Sequence, residues 1–85
     1  MHPTQSVDAY ETTDLSLAGA ILAAGHKLSH VERRAGRGWF VFEPDPRIGA
    51  TVAAFYGGSL RVDARTLTDH LRALKQALYV PAGAL

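Results

Sequence analysis

The stretch His26 to Glu43, HKLSHVERRAGRGWFVFE, concentrates the side chains of this chain that can do chemistry. Arg33, Arg34 and Arg37 stand around Gly36 and Gly38, Lys27 precedes them, and Trp39 opens the aromatic run Trp39-Phe40-Val41-Phe42. Guanidinium groups at a loop tip beside an indole suit two partners: a phosphate backbone with an unpaired base to stack, or an acidic patch on a protein. The same charges also serve a plain structural use, keeping edge strands from aggregating.

A second basic group lies near the C-terminus. At about 100° per residue, Arg65, Arg72, Lys75, Gln76 and Tyr79 fall on the helix face opposite a leucine stripe, with Arg61 just upstream. Asp69, four residues after Arg65 and three before Arg72, suggests ordinary surface pairing there.

His26, His30 and Glu32 share one side of an expected strand, which raises metal binding. At about 3.3 Å per residue the two imidazoles would be roughly 13 Å apart, too far for one ion. Only His30 and Glu32 could share one, so no metal is expected; His70 reads as a boundary residue beside the leucines. Ser16, Ser29 and Ser59 sit in no G-x-S-x-G elbow, and GRG and GGS are too short to cradle a phosphate. Asp14, Asp45 and Asp63 each stand at an expected helix start, where capping accounts for them. The expectation is a non-catalytic protein with no cofactor.

These side chains need elements to hold them. Residues 1–8 read as a tail, 9–80 as a single domain and 81–85 as a second tail. Tyr10-Glu11-Thr12 reads as a short strand, and Thr13 or Asp14 as the cap of a helix over 15–24 that stops at Gly25. That helix is apolar nearly all round, with Ala18, Gly19, Ala20 and Ala23 small enough for close approach. Strands over 26–32 and 38–43 pair through an arginine turn in which Gly36 and Gly38 permit positive φ. Alternation puts Phe40 and Phe42 in the core and leaves Trp39, Val41 and Glu43 on the outer face. Asp45-Pro46 opens a helix that closes at Gly57-Gly58. Residues 59–62 either hold Leu60 and Val62 against the core or add an edge strand. Asp63 caps a helix from Ala64 to Tyr79 with Leu67, Leu71, Leu74 and Leu78 in line, and Pro81 ends the order. The expected fold is α+β, with element order β-α-β-β-α-α: a small antiparallel sheet containing a hairpin, and three helices on one face.

Composition narrows the class. With 47% hydrophobic and 20% charged residues the chain can bury a core, and at 85 residues that core is a small one. It has no cysteine, so neither disulfides nor thiolate metal sites stabilise it. No apolar run reaches the roughly 20 residues of a membrane span, and MHPTQSVD lacks the pattern of a signal peptide, which points to a soluble, cytoplasmic protein without a membrane partner. The formal net charge is only +1, so any electrostatic recognition rests on local clusters.

Four segments, YETTDLSLAGAILAAGHKL, FVFE, FYGGSLRVD and LRALKQALY, give the stretch Tyr10 to Tyr79 a resemblance to a small domain of unknown function found in bacteria and phages. The resemblance implies a fold and a prokaryotic or mobile-element setting, and no catalytic residues. Together with the residues themselves it gives the leading expectation: an accessory protein that binds DNA or RNA through Lys27, Arg33, Arg34, Arg37 and Trp39, aided by Arg65, Arg72 and Lys75. The rival expectation is a protein-interaction or homo-oligomerising module that uses Trp39 and Val41 on an open sheet face, or an edge strand.

Overall fold

A computed structural model describes residues 8–79. Of the two expected tails, only Asp8 falls among them; the rest lie outside the described residues. The elements run β1 (Tyr10–Thr12), α1 (Leu15–Ala23), β2 (Leu28–Arg34), β3 (Arg37–Phe42), α2 (Ile48–Gly57) and α3 (Ala64–Tyr79). The strands form one antiparallel sheet in the order β1-β3-β2, so the aromatic strand is central. The class is α+β, as the sequence predicts.

Asp14 caps α1 by accepting from the Leu17 amide at 3.2 Å, and Gly25, at φ 103°, follows the C-cap. Leu17, Ala18 and Ile21 of this helix join Phe40, Phe42, Ile48 and Leu74 in the core. α1 packs chiefly on α3, and less extensively on α2. Gly19 makes that approach possible, because a Cβ there would stand 2.5 Å from Leu71 Cδ2 and 3.0 Å from its Cγ.

Two expectations about local structure need correction. The turn of the hairpin is Ala35-Gly36, with φ of 51° and 82°, and the arginines lie in the strands rather than in the turn. Two consecutive positive φ angles give a two-residue loop the twist its strands need. Gly38 has no positive φ; it is a strand residue whose missing side chain makes room for Leu78, whose Cδ2 would be 2.2 Å from an added Cβ.

The second correction concerns α2, which begins at Ile48 with Arg47 at the N-cap and no side-chain cap bond. Asp45 accepts from the Arg47 amide at 2.9 Å, but its second oxygen is taken by His26, so the carboxylate closes a turn ahead of the helix. Of the two alternatives for residues 59–62, the edge strand is not formed. The Ser59 and Leu60 amides both donate to the Ala54 carbonyl, wrapping the chain around the left-handed Gly58, and Leu60 and Val62 are half-buried. Asp63 then caps α3 through the Thr66 amide at 2.9 Å. No helix among the described residues is long and apolar enough to cross a membrane.

Candidate nucleic-acid interface

The register of β2 on β3 decides where the hairpin arginines point. Glu32 faces Trp39, Arg33 faces Gly38 and Arg34 faces Arg37, so the pleat sends Arg33 to the helix side and Arg34 and Arg37 to the other. The three cations do not converge.

Arg34 is committed on the outer face. Its Nη1 and Nη2 donate to the two oxygens of Glu11 at 2.8 and 3.0 Å, its Nε donates to Glu32, and its guanidinium lies 5.0 Å from the centre of the Trp39 ring. His30 Nε2 meets the other oxygen of Glu32 at 2.7 Å. The planar fork of arginine suits this double carboxylate grip, and the ring quadrupole favours a cation above it. Hydrogen bonds from Arg34 are the main reason the Glu11 and Glu32 carboxyls are held below their usual range, and bonds from both glutamates raise Arg34 in turn.

This network changes the reading of the outer face. Val41 is only 5% exposed although it points away from the helices, and Trp39 is half-buried beneath Arg34. The expected bare apolar face of Trp39 and Val41 is therefore not present, and the Trp39 ring already has a cation on it.

Arg33 has a different role. Its Nη2 donates to the Leu78 carbonyl at the end of α3, one of the helix-end acceptors that have no partner within the helix. The Leu78 side chain meanwhile fills the space above Gly38. Two contacts thus seat the end of α3 on the hairpin. Arg72, Lys75 and Tyr79 project from the exposed side of the same last turns, and Arg37 lies across the ladder from Arg34, with one 3.5 Å contact to the Thr13 hydroxyl. Arg33, Arg72, Lys75 and the exposed ring of Tyr79 thus lie on the helix side of the hairpin end, and Arg37 lies at the same end on the opposite face of the sheet.

The remaining expected site residues lie apart. Arg65 is at the far end of α3, roughly 20 Å from Leu78 at about 1.5 Å per residue. Both it and Arg72 hold Asp69 only loosely, at 3.8 and 3.9 Å. Lys27 precedes β2 at its opposite end, lining a cleft of about 120 Å³ with Gly25, His26, Glu43, Pro44, Asp45 and Arg47.

Beside that cleft is a constellation that the sequence did not reveal. His26 is not on the strand with His30 and Glu32; it lies in the α1–β2 connection, 8% exposed. Its Nδ1 meets Asp45 Oδ2 at 2.8 Å and its Nε2 meets the Thr51 hydroxyl at 2.8 Å. A carboxylate only accepts, so Nδ1 carries the proton that faces Asp45. Carboxylate, imidazole and hydroxyl in this order are the parts of an acyl-transfer relay. Here, however, Thr51 is a residue of helix α2 and does not line the cleft.

The arrangement acts as a clasp that ties the α1–β2 and β3–α2 connections to α2 and satisfies a buried ring on both sides. Arg47 completes it, donating from Nε and Nη2 to Asp45 at 3.1 Å each. Bonds from Arg47, first of all, and from His26 hold the Asp45 carboxyl well below the usual carboxylate range. The partners are 19 and 25 residues from His26, so no local pattern announces them. Among the described residues no group of three or more His, Cys, Asp or Glu is placed to hold a metal ion.

Compared with protein-family models, with curated proteins and with solved structures, the chain matches none.

Proposed function

We propose that this protein is a small accessory module, of the bacterial or phage setting its resemblance implies, that binds nucleic acid around the edge at the hairpin end, where Arg33, Arg37, Arg72, Lys75 and Tyr79 lie. The observation that carries the reading is the bond from Arg33 to the Leu78 carbonyl, which sets the basic hairpin end against the basic end of α3. Four cations on neighbouring elements, with few acids among them, suit a run of phosphates, and the exposed Tyr79 ring offers a stacking surface. Arg34 and Trp39 support this edge from within their ion-pair network, and Lys27 and Arg65 flank it at a distance.

The test is fluorescence anisotropy of labelled single- and double-stranded DNA and RNA across a salt series. Four phosphate contacts on duplex DNA give a slope of log affinity against log salt of about −3.6, at about −0.9 per contact. Replacing Arg72 and Lys75 with alanine should reduce that slope by about 2 and weaken binding to all sequences alike. Absence of binding near 50 mM salt, or a slope unmoved by the double replacement, would exclude this edge.

A further inference from the structure

β2 is an edge strand of seven residues, and among the described residues nothing pairs with its outer side. The hairpin geometry identifies which backbone groups are left over. A two-residue loop closes on a pair that exchanges hydrogen bonds, and such pairs alternate along an antiparallel ladder. Arg34, Glu32 and His30 therefore bond to Arg37, Trp39 and Val41, while the amides and carbonyls of Val31 and Arg33 point away from the sheet.

We infer that this edge takes a second copy of the same chain, with β2 antiparallel to its counterpart and the two-fold axis at Val31. The choice of partner rests on the self-complementarity of the strand. Centring the pair on Glu32 would oppose two carboxylates, and centring it on Arg33 would oppose two guanidiniums. Centring it on His30 would run into the irregularity between Leu28 and His30.

The Val31 register alone sets apolar against apolar, and it joins the outward amide and carbonyl of each Val31 to the other. It also places His30 opposite the partner's Glu32, and Glu32 opposite the partner's His30, as close non-hydrogen-bonded neighbours on the outer face. His30 and Glu32 already touch within one chain at 2.7 Å, so the dimer alternates two imidazoles with two carboxylates around its axis. A formal net charge of +1 leaves little long-range repulsion to oppose the approach. The product is a continuous six-stranded sheet that places all six helices on one face, and it holds independently of nucleic-acid binding.

The absence of cysteine makes the register directly readable. His30→Cys and Glu32→Cys chains are prepared separately, then mixed and oxidised under mild conditions. The mixed pair sets the two thiols opposite each other and keeps one intact Glu32 to His30 contact on the other side of the axis, whereas neither variant paired with itself opposes two thiols. The expected result is a mixed disulfide several-fold in excess of either homodimeric one.

Sedimentation of the unmodified chain should shift from 9.1 kDa toward twice that mass with rising concentration. Val31→Pro, which removes an outward amide while sparing the ladder to β3, should return the shift to monomer. A chain that remains monomeric at every concentration, or a dimer whose mixed disulfide does not exceed the homodimeric ones, would overturn the proposal.

Discussion

At the scale of single residues, the hairpin turn holds the least comfortable backbone of the described chain. Ala35 has φ 51°, and it is the one non-glycine residue among those described with a positive value. The left-handed region brings an alanine Cβ toward its carbonyl oxygen, and Ala35 is exposed, so no packing offsets the cost. Ala35→Asn and Ala35→Gly are expected to stabilise the fold by about 0.5–1 kcal/mol, with asparagine recovering the asparagine-glycine pair that such loops favour. Urea unfolding of the variants checks this, and a midpoint equal to or below that of the parent would contradict it. The same strain hid the turn from the sequence. The sequence reading placed Arg33, Arg34 and Arg37 in a turn between strands over 26–32 and 38–43, while the loop is Ala35-Gly36 alone. Only in a strand do successive side chains alternate between faces, so the separation of Arg33 from Arg34 was not legible while both were read as turn residues.

At the scale of elements, the legible parts were those fixed locally. Asp14 and Asp63 cap helices, Gly58 ends one, and the leucines of α3 repeat at helical spacing, because each of these signals needs only its neighbours in the chain. The clasp of His26 with Asp45 and Thr51 was illegible for the opposite reason: it exists only once α1, the sheet and α2 have packed, and it moved the start of α2 by drawing Asp45 away.

Close packing between α1 and α3 yields a prediction that separates two glycines. An alanine methyl at Gly19 would meet both the Cγ and a Cδ of Leu71, and Leu67 Cδ1 stands 3.5 Å away, so the helices must part. At Gly38 the obstacle is the tip of Leu78 alone, with its Cγ at 3.7 Å, and a leucine near a helix end can turn aside. Gly19→Ala should therefore cost about 1–3 kcal/mol, partly offset by better helix propensity, and Gly38→Ala less. Thermal unfolding of the two variants decides it; a larger loss at Gly38 would mean that α3 is anchored at its sheet contact rather than along α1.

At the scale of the whole molecule, the connections outside the apolar core are secured by carboxylates. Asp45 joins two loops to α2, Glu11 and Glu32 grip Arg34 across the central strand, and Asp63 caps α3. Hydrogen bonds from Arg47, Arg34 and the Thr66 amide, respectively, are the chief cause that holds each of these carboxyls below its ordinary value. The sign of the pH dependence follows. Between the ordinary and the lowered value the unfolded chain binds protons that the folded chain does not, so acid favours unfolding. The contribution is fully present above the usual carboxylate range, near about pH 4, and drains away as pH falls through the folded values. Urea midpoints are expected to hold steady from neutral pH to about 5 and then decline. Asp45→Asn isolates the largest of these groups: it keeps the shape of the clasp while removing the charge, so its deficit against the parent should be greatest near neutral pH and should vanish in strong acid. A deficit that stays constant to low pH would assign the stability of the clasp to packing around His26 rather than to the carboxylate.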